Sequence, residues 1–212
     1  MKKMVVVLMT VAALTAAAHA NLVIQVQPEG DGQSGKARYG FSYGWESTGF
    51  KVDANPNWAG HWYESSWANG EQSTVFMQIS LSDIPAGVEI QQAHLYLHIT
   101  EVSGNGSELK HLSDSSTATG LASQQLAGNV TVATLKDIPT GWLSIDVTDY
   151  IQADLNNGHD WAVFSFPYKS YSSLKFSSAE TDNGAYLAVV IPEPATMGML
   201  GFGSLFLLRR RK

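Results

Sequence analysis

One segment of the chain alternates between apolar and polar side chains, and this pattern limits the folds that the chain can adopt. Apolar residues occupy every second position from Ala93 to Ile99, with His94, Tyr96 and His98 between them. A period of two is typical of a half-buried β-strand. Similar short runs, rich in β-branched and aromatic residues, lie at 22–26, 74–81, 130–132, 143–147, 161–166, 174–176 and 186–191. The sequence therefore predicts an all-β protein with at least seven strands.

Glycine- and serine-rich breaks, such as residues 103–107 and 182–184, separate these runs. Short strands with such breaks favour an antiparallel β-sandwich of jelly-roll type, as in carbohydrate-binding modules. Val88 and Ile90 have the opposite parity to the strand that follows, which predicts a bulge or break near residues 91–92.

One short helix is predicted between the apolar runs at 143–147 and 161–166. Thr148 or Asp149 is expected to cap it, and Gly158 stands where a left-handed C-cap belongs. Three apolar residues should face the core: Tyr150, Ile151 and Leu155. Asp146 and Asp149 are then interpreted as carboxylates stabilised by the helix dipole, in preference to catalytic or calcium-binding groups.

Residues 1–20 have the pattern of a secretory signal peptide. Lys2 and Lys3 precede an apolar run from residue 4 to 18. Ala18 and Ala20 place small side chains at the two positions that a signal peptidase inspects, so we expect cleavage before Asn21. The alternative is an uncleaved membrane anchor, for which the apolar run is short.

The C-terminus combines three elements in a fixed order. Pro192, Glu193 and Pro194 precede an apolar run from residue 197 to 208. A basic cluster then ends the chain, with Arg209, Arg210, Arg211 and Lys212. The positive-inside rule would keep this cluster cytoplasmic. With the signal peptide at the other end, the middle of the chain would then be exported across the inner membrane.

Residues 192–212 closely resemble the PEP-CTERM sorting signal of Gram-negative bacteria, with its Pro-Glu-Pro box, hydrophobic helix and arginine cluster. The resemblance implies export by the secretion machinery and transient membrane contact through the C-terminal helix. It also implies recognition by an exosortase, removal of the tail, and delivery to the cell surface or extracellular matrix. The alternative is a plain C-terminal anchor. Both terminal segments are interpreted as targeting signals and excluded from the predicted fold.

Between them lies one predicted domain, residues 21–191. It contains 7 basic and 18 acidic residues, a net charge of -11, against -6 for the whole chain of 212 residues. Such a balance argues against nucleic acid as a partner, because phosphates require a basic face. The chain has no cysteine, which excludes disulfides, zinc ribbons and thiol catalysis.

The order of several segments in this domain resembles a known family. Residues 81–90 run directly into Ala93–Leu97, and residues 142–152, 161–166 and 176–180 follow. This arrangement resembles the DNRLRE, or disaggregatase-related, β-sandwich of bacterial and archaeal surface proteins, over residues 74–191. The resemblance implies a jelly-roll module that often accompanies polysaccharide-active proteins, with some members binding acidic polysaccharide.

Nine of the 22 aromatic residues lie within residues 39–67. Aromatic rings stack on the apolar faces of sugars, while neighbouring polar groups can bind the hydroxyls. The candidate carbohydrate contacts lie in a predicted glycine-punctuated loop and just before it: Trp45, Trp58, His61, Trp62, Tyr63 and Trp67. The alternative is that these rings pack the core, since Tyr39, Phe41, Tyr43 and Trp45 alternate as a strand would.

No metal-binding pattern stands out. His94 and His98 are four residues apart, which on a strand is about 13 Å. This is too far for one zinc ion, so they are expected to be outward polar residues. Gly30–Gly32, Glu46 and Asp53 offer oxygen ligands in predicted loops, which leaves room for a structural calcium ion. No other cofactor is expected.

No nucleophile elbow, zinc-protease motif, phosphate loop or dinucleotide fingerprint occurs. Glu64 and Glu71 are the remaining candidates for a glycosidase carboxylate pair. The predicted function is that of a non-catalytic, surface- or matrix-sorted protein associated with extracellular polysaccharide. The alternatives are a structural module that binds proteins or its own copies, and a polysaccharide-degrading enzyme. The sequence identifies neither the polysaccharide nor the oligomeric state.

Overall fold

A computed structural model describes residues 21–28, 30–39, 46–52, 57–63, 69–113, 130–179 and 181–192. The backbone alone is described for Asn21, residues 30–39, 46–52 and 61–63, and Asn69. Within these ranges the chain forms twelve strands and one helix. In order they are β1 (Asn21–Val26), β2 (Gly30–Tyr39), β3 (Glu46–Val52), β4 (Asn57–Tyr63), β5 (Asn69–Ser80), β6 (Gln92–Gly104), β7 (Ser107–His111), β8 (Val130–Leu135), β9 (Gly141–Asp146), α1 (Thr148–Asn156), β10 (Trp161–Phe166), β11 (Ser172–Phe176) and β12 (Tyr186–Pro192).

Two long strands, β5 and β6, organise the sheet. One edge of β5 pairs with β2, and the other pairs with β4 and then β10. Tyr96 of β6 pairs with both Ser144 of β9 and Tyr186 of β12, so these strands lie on opposite edges of β6. The later part of β6 pairs with β11, and β11 pairs with β4. Every pairing between the described strands is antiparallel, and β4 and β11 join two sides of a curled sheet into the predicted β-sandwich.

The alternation in β6 is confirmed. Ala93, Leu95, Leu97 and Ile99 are fully buried, while the residues between them lie half-buried on the outer face. The core between the two sides is aromatic and aliphatic. Its largest fully buried side chains are Phe164, Phe166, Phe176, Met77, Ile79, Leu95, Leu97, Ile99, Leu109 and Ile151. Burial of each such side chain contributes about 1.5–3 kcal/mol.

The predicted helix is present, but its cap differs from the prediction. Ile151 is buried and Gly158 has a φ of 71°, as expected. The N-cap residue is Val147, which has no capping side chain, so a cap at Thr148 or Asp149 is wrong. Oδ1 of Asp146 instead accepts the backbone N–H of Thr148 at 2.9 Å and its hydroxyl at 2.6 Å.

Several connections differ from the prediction. The predicted loop around Trp58–Tyr63 is largely strand β4, and Gly30–Gly32 belongs to strand β2. Strand β7, which the sequence analysis did not predict, pairs with β8 and β10. The break before β6 is a loop at residues 81–91 that buries Ile90.

The predicted signal peptide and the tail from Glu193 onward lie outside the described residues. Among the residues that the structure does describe, no helix has the length and apolar character needed to span a membrane. Pro192, the first residue of the predicted sorting signal, is the last residue of β12 and pairs with Asn21.

Candidate functional site

A cleft of about 460 Å³ opens on the outer surface where β4, β11 and the end of β6 lie side by side. Its lining combines two aromatic rings with charged and hydroxyl side chains: Trp58, Glu71, Glu101, Ser103, Tyr171, Ser172, Ser173 and Lys175. The strand register explains this composition. Lys175 pairs with Trp58 on one side and with Glu101 on the other, so all three side chains project from the same row.

The position of the Trp58 indole depends on Gly60. The two residues are two apart on β4 and therefore share one face of the strand. A Cβ atom at Gly60 would lie 2.7 Å from Nε1 of Trp58 and 2.5 Å from the carbonyl oxygen of Ser172. The glycine thus provides the space in which the indole lies. Nε1 donates a hydrogen bond of 3.1 Å to Oγ of Ser173, which fixes the ring.

This hydrogen bond is the first of a connected set. Oγ of Ser173 donates to Oε1 of Glu101 at 3.0 Å, and Nζ of Lys175 donates to Oε2 at 2.7 Å. The hydrogen bond from Lys175, and then that from Ser173, hold the pKa of Glu101 below its ordinary value. Glu101 is therefore an ionised carboxylate at neutral pH, and its charge is matched by the ammonium of Lys175.

Tyr171 forms one side of the cleft. Its side chain is 62% exposed, and its backbone has a positive φ of 56°. Such a conformation is rare for a bulky residue and is often associated with function. It occurs where the chain enters β11, next to Gly104 at the end of β6. An exposed phenol ring is thereby placed near the indole of Trp58.

Of the predicted carbohydrate contacts, the structure places Trp58 in the cleft. His61, Trp62 and Tyr63 are in β4, where His61 pairs with Ser172, but their side chains are not among those described. Trp45 and Trp67 lie outside the described residues. The proposed contact set as a whole stays a prediction.

Six lining residues were not predicted from the sequence: Glu101, Ser103, Tyr171, Ser172, Ser173 and Lys175. Lys175 and Ser173 alternate with buried Leu174, a signal that marks them as outward-facing. Their meeting with Glu101 depends on the pairing of β6 with β11, about 70 residues away in sequence, which no local pattern reveals.

The predicted outward orientation of His94 and His98 is confirmed. Each is half-buried, and Nδ1 of each contacts a serine hydroxyl, that of Ser144 at 3.1 Å and that of Ser177 at 3.2 Å. Within the described ranges no three acidic or histidine side chains are grouped as metal ligands. Asp53 and the side chains of Asp31 and Glu46 lie outside that description, so the calcium prediction stays a prediction.

The described part of the chain is a curled antiparallel β-sandwich whose surface carries an aromatic, hydrogen-bonding cleft. A model of carbohydrate-binding module family 96 matches residues 59–191. The match spans more than half of the chain, and the chain belongs to this family. Membership implies carbohydrate binding. Comparison with curated proteins gave no match.

The PEP-CTERM protein-sorting motif matches residues 190–212. The predicted sorting signal is thereby confirmed, and it indicates an exported protein with a surface or extracellular destination in a Gram-negative bacterium. The matched segment begins within β12, so the motif and this strand share residues 190–192.

Proposed function

We propose that the protein is a non-catalytic component of the cell surface or extracellular matrix that binds polysaccharide through the cleft on β4, β6 and β11. The observation that carries the proposal is the Trp58 indole, fixed over Gly60 beside the ion pair of Glu101 and Lys175. A tail processed by an exosortase would deliver this cleft to extracellular polysaccharide.

The chemistry of the cleft suits a sugar. The apolar face of a pyranose ring can lie against the indole of Trp58 or the phenol of Tyr171. Carboxylate, ammonium and hydroxyl groups within the same cleft can accept and donate hydrogen bonds to sugar hydroxyls. Because Glu101 and Lys175 neutralise each other, the ion pair itself does not exclude either a neutral or an acidic chain.

The same contacts favour binding over catalysis. A glycosidase needs one protonated and one ionised carboxyl group flanking the bond to be cleaved. Both oxygens of Glu101 accept hydrogen bonds, and its pKa is lowered, so it is unsuited to act as the proton donor. Glu71 also lines the cleft, and release of reducing ends that stops in Glu71→Gln would favour the enzyme instead.

Replacing Trp58 with alanine should weaken polysaccharide binding about five- to thirtyfold, because an aromatic stacking contact contributes on the order of 1–2 kcal/mol. The measurement is affinity electrophoresis of the purified protein through gels containing alginate, pectin, xylan or β-glucan. Trp58→Phe retains a ring and should retain part of the affinity.

Val130→Ala, on exposed strand β8, serves as the control away from the cleft. Thermal melts of each variant verify that the sandwich is folded. Migration of the wild-type protein unaffected by any of these polysaccharides would contradict the proposed function. Retardation of Trp58→Ala equal to that of the wild type would refute the cleft as the site.

Deletion of residues 192–212 should abolish surface retention in a host with the matching exosortase. The fold should survive, because Ile191, the last buried residue of β12, is kept. Fractionation of cells and medium measures the outcome, and the intact chain in a host without the exosortase is the matched control. Retention of the shortened chain at the wild-type level would argue against the tail as the sorting determinant.

A further inference from the structure

We propose that an aromatic cluster on the outer face of β6, β9 and β12 extends the cleft into one continuous track, which binds several consecutive sugar units of a polysaccharide chain. This inference rests on the proposed function of the cleft. The cluster consists of Tyr96, His98, Trp142 and Tyr186.

The rings form a contiguous surface. Tyr96 and Tyr186 stack with centroids 4.7 Å apart and planes 10° from parallel. The indole of Trp142 packs edge-on at 5.7 Å from Tyr186 and 5.3 Å from His98. Trp142 nevertheless remains 52% exposed. A fixed ring with a large exposed area is a platform for stacking.

The cluster is not part of the core. Leu95, Leu97 and Leu187, the sequence neighbours of the tyrosines and of His98, are fully buried on the inner face. Side chains alternate between the two faces of a strand, so the cluster rings stand on the opposite side of the sheet. The sandwich does not need these rings to fill its interior, and a different reason is required for three large aromatic residues on one outer surface.

The cluster is continuous with the cleft. Along β6, His98 of the cluster is followed by Glu101 and Ser103 of the cleft. They share its outer face because β6 has one extra residue between Ile99 and Glu101, opposite Phe176 and Lys175, and this bulge shifts the alternation by one. Nδ1 of His98 contacts Oγ of Ser177 at 3.2 Å, and Ser177 lies two residues beyond Lys175 at the end of β11. From Tyr96 to Ser103 the track extends about 20 Å, because the bulge leaves six regular steps of roughly 3.3 Å along the strand.

The chemistry around the rings fits a sugar chain. Hydrogen-bonding groups lie among and beyond the rings: the His94–Ser144 pair at 3.1 Å, and the exposed carboxylate of Asp146, whose pKa the hydrogen bonds from Thr148 hold low. A pyranose offers an apolar face for a ring and hydroxyls for such groups at the same time. A mainly apolar protein surface would offer no partner for the remaining hydrogen-bonding capacity of these groups.

The track predicts that affinity grows with chain length and that Trp142 contributes only to long chains. The probes are oligosaccharides of two to ten units, prepared from whichever of alginate, pectin, xylan or β-glucan retards the wild-type protein. Trp142→Ala should bind ten-unit fragments about tenfold more weakly. It should bind the shortest fragment that the wild type recognises within about twofold of wild-type affinity, since that fragment occupies the cleft. Trp142→Phe, which keeps a ring, should restore part of the loss.

The outcomes separate this inference from the proposed function. Loss of binding in Trp58→Ala together with unchanged long-chain binding in Trp142→Ala would overturn the proposed track but leave the cleft as the binding site. Affinity of the wild type that is independent of fragment length would also overturn it. A wild-type dimer that Trp142→Ala dissociates, seen by sedimentation, would assign the face to a second copy of the chain. Absence of any polysaccharide binding would overturn both proposals.

Discussion

Replacing Asp154 with alanine should lower the free energy of unfolding by about 3–5 kcal/mol, because the variant leaves a buried polar network without its central acceptor. Oδ2 of Asp154 receives a hydrogen bond from Nε2 of His111 at 2.8 Å, and Oδ1 pairs with Nδ1 of His159 at 3.0 Å. The side chains of Asp154 and His111 are each only 2% exposed. This single carboxylate therefore ties α1 to strand β7 and to the segment that precedes β10.

Urea unfolding followed by fluorescence measures the change in free energy. Asp160→Ala is the matched control, since Asp160 is exposed and its side chain should contribute within about 0.5 kcal/mol. Asp154→Asn keeps the shape and one acceptor oxygen, so its cost should fall between those of the two alanine variants. A loss below about 1 kcal/mol in Asp154→Ala would show that the network does not hold these elements together.

The sequence revealed the strands because their signal is local. Burial of alternate residues from Ala93 to Ile99 is visible in the sequence itself, and the sandwich follows from several such strands. Capping of the helix was mispredicted because it depends on a distant contact. Thr148 was expected to cap the helix, but its hydroxyl accepts a hydrogen bond from the backbone N–H of Ala93, 55 residues away.

The candidate site was predicted only in part. An aromatic-rich segment marked Trp58, but the strand that holds it resembled a loop because Asn57 and Gly60 interrupt its apolar pattern. In the structure that glycine is required by the indole itself. The partners Glu101, Ser173 and Lys175 come from strands that become neighbours only through long-range pairing. The same reason hid the link between His111 and Asp154, which are 43 residues apart.

Gly104→Ala should be the most damaging small substitution near the cleft, with a loss of more than about 2 kcal/mol in the free energy of unfolding. Gly104 has a φ of 66°, where an alanine side chain is strained by roughly 1–2 kcal/mol. The added Cβ atom would also collide with the carbonyl oxygen of Tyr171. That oxygen belongs to the backbone, so no change of side-chain rotamer can relieve the clash. The strand ends that form the cleft must then separate.

Gly87→Ala distinguishes the two contributions. Gly87 has a similar φ of 72°, but a Cβ atom there would meet nothing within 4 Å, so only the backbone strain of roughly 1–2 kcal/mol should remain. Because Gly104 pairs with Ser172 beside Tyr171, its variant should also bind polysaccharide more weakly, whereas Gly87→Ala should bind normally. Urea unfolding and affinity electrophoresis of both variants test this difference. Equal stability losses in Gly104→Ala and Gly87→Ala would mean that the start of β11 can shift without a cost in free energy. The side of the cleft formed by Tyr171 would then be flexible and not preorganised.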